Sequence, residues 1–142
     1  METVVLRVLT GGPATVVDLT AQVDGFCKDK GAGLLSVFVP HATAGVAIIE
    51  TGGGSEDDLL ALLESLVPHD ERWRHRHGSV GHGADHVLPA LVSPSIVIPV
   101  IDGRPALGTW QSIVLVDTNR DNPERQVRLS FVPGASANGR PA

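Results

Sequence analysis

The sequence has few aromatic residues, a single cysteine and no long apolar run. Tyrosine is absent, and phenylalanine and tryptophan together make up 4% of the 142 residues. So few rings argue against a stacking platform for single-stranded nucleic acid. The single cysteine, Cys27, excludes an intrachain disulfide and a zinc site built from cysteines. No apolar run approaches ~18 residues, the length that a transmembrane helix needs.

Positive charge is scarce as well. The 11 lysine and arginine residues against 16 aspartate and glutamate residues leave a net charge of −5, which disfavours binding to nucleic acid. The densest basic patch, formed by Arg72, Arg74 and Arg76, suits a local anion but not a long duplex. Residues 1–10 lack the basic start and apolar block of a signal peptide. We therefore expect a cytoplasmic protein that binds neither membranes nor nucleic acid.

Apolar residues make up 42% of the chain, which is enough to bury the core of one domain. We expect that domain to span residues 1–133, followed by a frayed tail over 134–142. The sequence pattern predicts strands at 3–9, 14–18, 34–39, 45–49, 95–101, 106–117 and 125–132, and helices within 19–30, 55–67 and 84–92. Because the helices do not alternate regularly with the strands, we expect an α+β fold with a mostly antiparallel sheet.

Local signals predict how some of these elements begin and join. The glycines before Pro13 predict that the first two strands form a hairpin or lie side by side, and Asp102-Gly103 predicts a second hairpin. Ser55 and Asp58 resemble a capping box at the start of the second helix. The polar stretch 69–85 predicts a loop, and a loop of that length is often functional.

Histidine is the conspicuous residue of this loop. Five of the six histidines lie between positions 69 and 86; the full set is His41, His69, His75, His77, His82 and His86. Neutral imidazole is the commonest side-chain ligand of metals, and the His-x-His and His-x3-His spacings suit a metal site. A catalytic zinc site uses three protein ligands and leaves the fourth position to water. A solvated, metal-free surface loop explains the same composition equally well.

Other candidate site residues stand near the ends of predicted strands and helices. Glu50 is either a general base, a partner for a ligand histidine, or an ordinary strand-end carboxylate. A glycine interrupts a strand beside Trp110, a candidate for core packing or a ligand platform, and Gln111, a candidate for polar contacts. Arg125 is either an anion contact or a paired surface arginine. Asp58 lies in the first turn of a helix, where it also stabilises the helix dipole.

Taken together, these residues resemble the YjbQ-like family, also labelled the secondary thiamine-phosphate synthase family. The Gly-Thr-Trp-Gln motif of that family is intact at 108–111. Its His-Thr-Ser-Ala motif and the following Asn-Glu are similar to 41–44 and 49–50, and its Tyr-x-His is similar to 73–75. Further similar positions are Asp58 before Val67-Pro68, His86, Asp117 and Arg125. The resemblance covers about residues 3–132.

The resemblance implies a β-sandwich-like α+β domain that assembles as a homotrimer. It implies a metal site formed by His41, His75 and His86, with a divalent transition metal as cofactor and Zn as the first choice. The catalytic residues that it implies are Glu50 and Asp58, and the implied substrate contacts are Thr43, Trp110, Gln111 and Arg125. The remaining histidines, His69, His77 and His82, do not match the family's histidine positions. The spacing of His82 and His86 is then expected to be incidental.

The function expected from this resemblance is a metal-dependent reaction on a small phosphorylated or heterocyclic compound. Thiamine-phosphate synthesis releases pyrophosphate, a step usually assisted by an oxygen-bound cation such as Mg, whereas three histidines suit Zn, Fe or Ni. We therefore expect thiamine-phosphate synthesis only as a weak side activity. The alternative is a non-catalytic trimer that binds a metal or a small anion.

Overall fold

The computed structural model describes residues 1–135, so the predicted tail over 134–142 lies almost wholly outside the described residues. The described chain contains strands β1 (Glu2–Leu9), β2 (Thr15–Asp18), β3 (Gly33–Phe38), β4 (Ala44–Ile49), β5 (Ser95–Ile101), β6 (Arg104–Pro105), β7 (Ser112–Asp117) and β8 (Glu124–Pro133). Its helices are α1 (Thr20–Cys27), α2 (Ser55–Leu66) and α3 (His82–Leu91). The predicted α+β class is confirmed. Within residues 1–135, each helix is too short or too polar to cross a membrane.

The strands form two antiparallel sheets. The larger sheet has the order β1-β8-β3-β5-β6, and the smaller one has the order β2-β7-β4. The larger sheet and α1 bury an apolar cluster against one face of the smaller sheet, while α2 and α3 bury a second cluster against its other face. As a result β7 is enclosed on both sides: Ile113 and Leu115 belong to the first cluster, and Val114 and Val116 belong to the second.

The first two strands do not form the predicted hairpin, nor do they lie side by side. β1 pairs with β8 in the larger sheet, and β2 pairs with β7 in the smaller sheet. Gly11 and Gly12 both adopt positive φ, and the N–H groups of Thr10 and Gly11 donate to the Pro123 carbonyl at 2.7 and 3.2 Å. These hydrogen bonds hold the connection between β1 and β2 against the segment before β8. The chain passes there from the larger sheet to the smaller sheet. The second predicted hairpin, β5–β6, forms with positive φ at Asp102 and Gly103.

Two further boundaries differ from the prediction. The strand predicted at 106–117 begins only at Ser112, because residues 108–111 close a tight turn in which Gly108 N–H donates to Gln111 Oε1 at 2.7 Å. α2 begins at Ser55 as predicted, but the capping box does not form. Instead Gly54 is the N-cap residue, and Glu56 Oε1 accepts a hydrogen bond of 2.9 Å from Gly52 N–H.

A four-histidine candidate metal centre

The connection between α2 and α3 brings four imidazole rings together. We call His75, His77, His82 and His86 the four-histidine group; each offers a ring nitrogen, and these nitrogens all lie within 4.8 Å of one another. Two of the four come from the extended loop, and the other two lie one turn apart on α3. α3 begins earlier than predicted because Gly81 turns the chain with positive φ and its carbonyl accepts a hydrogen bond from Ala84 N–H.

The distances within the group suit a common metal ion. Two ligands of one zinc ion, each about 2.0–2.1 Å from the metal, lie no more than about 4.2 Å apart. The Nε2 atoms of His82 and His86 are 3.0 Å apart, within this limit. The ring of His75 also adjoins those of His77 and His86, with ring centroids 4.1 and 4.2 Å apart. The widest separation of up to 4.8 Å exceeds the limit, so the rings would have to rotate to share one ion.

The protonation state of the group also suits a metal. Burial, followed by the charges of neighbouring histidines, lowers the pKa values of His75 and His86. Both rings are therefore neutral at pH 7, which is the form in which imidazole binds a metal. Four nitrogen donors without a carboxylate among them favour a transition metal over Mg or Ca.

The surroundings of His82 test whether the four-histidine group suits a metal ion. Its side chain is 7% exposed, and its Nδ1 atom lies 3.0 Å from Asp121 Oδ2 and 3.4 Å from Asp85 Oδ2. Neither His82 Nδ1 nor Asp85 Oδ2 makes a hydrogen bond of acceptable geometry to any described residue. A ligand histidine usually directs its second ring nitrogen at a carboxylate in this way. The residues present therefore fit a divalent transition metal.

A fifth histidine, His69, ties α3 to α2 behind this group. Its Nδ1 atom lies 2.7 Å from Glu64 Oε2, and its Nε2 atom lies 2.8 Å from Asp85 Oδ1. Burial lowers the pKa of His69, but its contacts with Asp85 and Glu64 outweigh burial and raise that pKa above its ordinary value. Asp85 Oδ1 also accepts a 2.7 Å hydrogen bond from the Thr118 hydroxyl, which links α3 to the end of β7.

A small cavity adjoins the four-histidine group. It has a volume of about 210 Å³, and His75, Trp73, Arg76 and residues 78–81 form much of its wall. Trp73 donates from Nε1 to the Pro68 carbonyl at 2.8 Å, and Arg76 donates from Nε to the Trp73 carbonyl at 3.1 Å. These bonds fix both side chains through the backbone of the same loop. A molecule in this cavity would contact His75.

The structure brings together only two of the three metal ligands that the family resemblance implies. His75 and His86 are members of the four-histidine group, but His41 is not. The Nε2 atom of His41 accepts a hydrogen bond of 2.9 Å from Gln126 N–H, and burial followed by the charge of Arg125 lowers the pKa of His41. His41 thus lies beside β8. Its Nε2 lone pair, which a metal would need, already accepts the hydrogen bond from Gln126 N–H.

Arg125 and Thr43 lie near His41. Arg125 is 1% exposed and donates two hydrogen bonds, of 2.7 and 2.8 Å, to the carboxylate of Asp117. Thr43 Oγ1 accepts a hydrogen bond of 3.1 Å from Asn119 Nδ2. The charge of Arg125 is therefore already balanced inside the protein, and its predicted contact with a substrate anion would compete with Asp117.

The other predicted residues lie at the far end of the smaller sheet. The register pairs Ala44 with Asp117 at one end of β4 and β7, and Ile49 with Ser112 at the other end, about 17 Å away. Glu50, Trp110 and Gln111 adjoin the second end, as does the start of α2 with Asp58. Trp110 is 74% exposed. A single copy of the chain therefore does not bring these four residues to the four-histidine group.

Sequence reasoning set aside two members of the group, His77 and His82, because they fall outside the family pattern. Their own spacing carried the signal: His75-x-His77 places two rings on one face of an extended segment, and an i,i+4 pair shares one face of a helix. The roles of Asp85 and Asp121 were also missed. They depend on the path of the chain after β7, which local patterns do not reveal.

Comparisons with known proteins agree with the fold. The family model described as UPF0047 protein YjbQ-like matches residues 5–134. The UPF0047 protein Rv2556c of Mycobacterium tuberculosis is 63% identical over 134 residues, covering 94% of this chain and 100% of that protein. A UPF0047 protein of Archaeoglobus fulgidus is 32% identical over 123 residues, covering 86% of this chain and 95% of that protein.

Solved structures are similar over nearly the whole chain. A hypothetical protein from Aeropyrum pernix K1 matches with a TM-score of 0.86 and 33% identity, covering 94% of this chain and 100% of that chain. A YbjQ-like protein of unknown function from Sulfolobus solfataricus P2 matches with a TM-score of 0.86 and 24% identity, covering 94% of this chain and 97% of that chain. At 24% identity, this second similarity shows the fold alone.

Proposed function

Because the chain belongs to the UPF0047 YjbQ-like family and carries the four-histidine group, we propose that it is a metal-dependent enzyme that binds a divalent transition metal, Zn first, through that group. The observation that carries the proposal is the convergence of four ring nitrogens within 4.8 Å. This ligand set replaces the one implied by resemblance, in which His41 took part. A zinc ion held by these histidines would supply Lewis acidity to a substrate oxygen.

The cavity beside His75 supports a small substrate. Its volume of about 210 Å³ lies below the ~300–1,000 Å³ of pockets for drug-sized ligands. Arg76 donates to backbone carbonyls and not to a carboxylate within residues 1–135, so its charge is available to an anion. Asp70, which is paired with Arg72, and Glu71 also line the cavity and reduce its attraction for an anion. Trp73 offers an apolar surface to a heterocycle. A small phosphorylated or heterocyclic compound suits both side chains.

Thiamine-phosphate synthesis fits the site less well. Departure of pyrophosphate is usually assisted by Mg, which prefers oxygen ligands, whereas the four-histidine group offers nitrogen alone. We therefore propose this reaction only as a weak side activity. Catalytic roles for Glu50 and Asp58 stay predictions, as do a cytoplasmic location and the absence of nucleic-acid binding.

A non-catalytic metal-binding protein is the second candidate, and one observation favours it. Four histidines fill a tetrahedral zinc shell, and closed four-ligand shells are typical of structural sites, whereas catalytic sites keep a position open. The two candidates differ in the coordination number of the bound ion. X-ray absorption spectroscopy of the zinc-loaded protein separates three nitrogen ligands plus an oxygen from four nitrogen ligands.

We also propose that the protein assembles as a homotrimer through the outer face of the larger sheet. Leu34, Val97 and Val132 are exposed on that face, and the register places Leu34 between Val132 and Pro99. Exposed apolar patches of this kind mark protein–protein contact sites. Other copies of the same chain would cover this patch in the trimer.

Metal analysis of untagged protein tests the proposed site. We expect about one zinc ion per chain in the wild type and loss of that ion in His77→Ala and His82→Ala. His41→Ala is the matched control, because it removes a histidine that lies outside the group, and it should keep the metal. Loss of metal in His41→Ala alone would favour the ligand set implied by resemblance. Wild-type protein that is metal-free and takes up no added zinc would refute the proposal.

A further inference from the structure

His82 is the member of the four-histidine group that the fold surrounds most closely with carboxylates. We propose that Asp121, supported by Asp85, is a positioning residue that keeps the proton of His82 on Nδ1 and thereby leaves Nε2 free to bind the metal. The inference deepens the proposed function and rests on it for the metal. The assignment of the proton position depends on the protein alone.

The surroundings of His82 favour one tautomer. The side chain is 7% exposed, and the Nδ1 atom faces oxygens of Asp121 and Asp85 at 3.0 and 3.4 Å. An Nδ1 lone pair directed at two carboxylates would be repelled by both, whereas an Nδ1–H group is attracted by both. When the ring carries one proton, that proton therefore lies on Nδ1 and the lone pair lies on Nε2. That Nε2 atom lies 3.0 Å from His86 Nε2, inside the group.

Asp121 is itself held firmly in place. Its Oδ2 atom accepts hydrogen bonds from Ser79 N–H at 3.0 Å and from Ser79 Oγ at 3.2 Å. Its own N–H donates to Asn119 Oδ1 at 2.9 Å, and Asn119 N–H donates in turn to Asp117 Oδ1 at 3.0 Å. A Cβ atom at Gly78 would lie 2.5 Å from Asp121 Oδ2, so a side chain there would displace the Asp121 carboxylate. We call residues 67–81, between α2 and α3, the histidine loop. Asp121 thus holds the histidine loop to the chain that leaves β7.

Asp85 is the second carboxylate that faces His82 Nδ1. Its Oδ1 atom is occupied by His69 and the Thr118 hydroxyl, at 2.8 and 2.7 Å, which fixes the carboxylate. Its Oδ2 atom is buried, has no hydrogen-bond partner among residues 1–135, and lies 3.4 Å from His82 Nδ1. A movement of roughly 0.5 Å would complete this hydrogen bond. Two unpartnered buried atoms that face each other indicate a contact that closes when the ring is fixed by a metal.

Zinc titrations of three variants test the inference. Asp121→Ala should weaken zinc binding about 10- to 100-fold, the usual effect of losing a carboxylate behind a ligand histidine. Asp121→Asn keeps an oxygen that can accept from His82 Nδ1–H and should lose less. Asp57→Ala is the control, because it removes an exposed carboxylate from the first turn of α2, and it should bind zinc as the wild type does. Thermal melting confirms that each variant is folded.

Nitrogen-15 NMR of the metal-free protein gives a readout independent of the metal. We expect His82 to be the Nδ1–H tautomer in the wild type and a mixture of tautomers in Asp121→Ala. An Nε2–H tautomer in the wild type would overturn the inference, even if the alanine variant failed to fold. Equal zinc affinity and unchanged tautomer in Asp121→Ala would also overturn it. Absence of zinc binding with the expected tautomers would refute the metal proposal and leave the positioning of His82 standing.

Discussion

His69 lies between two carboxylates, and each of its ring nitrogens contacts one of them. Glu64 on α2 and Asp85 on α3 are the partners, at 2.7 and 2.8 Å. Both nitrogens of an imidazole can donate only when the ring is protonated, and the pKa of His69 is accordingly raised. Below its raised pKa, a cationic His69 therefore joins the two helices that flank the histidine loop.

Replacement of His69 by glutamine should reveal this charge through pH. A raised folded pKa contributes stability that is complete below the ordinary histidine pKa of ~6.5 and disappears as pH rises through the raised value. We expect the difference in free energy of unfolding between wild type and His69→Gln to be largest near about pH 6 and to shrink toward about pH 9. Urea denaturation of metal-free protein at several pH values measures it.

The comparison variant is His41→Gln. The pKa of His41 is lower in the folded protein than its ordinary value. The unfolded chain therefore binds a proton at this histidine more readily than the folded protein does, which lowers the stability of the folded protein at acidic pH and has no effect at high pH. The free energy of unfolding of wild type minus that of His41→Gln should therefore not decrease between about pH 6 and about pH 9, whereas the corresponding difference for His69→Gln should decrease. A His69→Gln difference that stayed constant or grew over this range would contradict a cationic His69.

At the scale of elements, the histidine loop and α3 pack without space between them. Gly83, in the first turn of α3, has no side chain where Trp73 approaches: an added Cβ atom would lie 2.4 Å from Trp73 Cβ and 2.9 Å from the His75 carbonyl oxygen. The absence of a side chain at this one position lets the loop lie on the helix. This contact adjoins His75, one of the two histidines that the loop contributes to the four-histidine group.

Gly83→Ala should therefore separate the loop from the helix. We expect zinc affinity to fall at least tenfold, while the sheets, which do not touch this position, keep their structure. Isothermal titration with zinc and circular dichroism give the two readouts. Gly53→Ala is the control, because the nearest atom to its added Cβ would be Glu50 Oε1 at 3.9 Å. Equal zinc affinity in both variants would show that this packing does not shape the site.

The elements themselves could largely be predicted from the sequence, whereas their partners could not. β3, β4 and β5 lie where alternating and apolar runs predict them, because those runs reflect burial of a strand face. The pairing of β1 with β8 depends on a turn fastened to Pro123, far away in sequence. The membership of His82 depends on where α3 begins and on Asp121, and neither follows from histidine spacing alone.

At the scale of the whole molecule, the proposed trimer depends on the exposed apolar side chains on the outer face of the larger sheet. Static light scattering should give a mass near three times the 14.9 kDa of one chain. Val97→Asp places a charge within the apolar patch and should give a monomer, because burying an unpaired charge in an interface is costly.

Leu62→Asp serves as the control for this assembly. Leu62 is exposed on α2, on the other side of the molecule from the larger sheet, and its replacement should leave the mass unchanged. A wild-type monomer would refute the trimer. Dissociation by Leu62→Asp with an intact assembly in Val97→Asp would instead assign the interface to the helices.

The enclosure of β7 between two apolar clusters has a consequence for how the protein opens. Segments buried on both faces exchange their amide hydrogens last, since they open only when the whole domain unfolds. Residues 117–121 continue directly from this strand and carry the carboxylate of Asp121. Any local opening of the histidine loop would therefore leave Asp121 attached to the part of the domain that opens last.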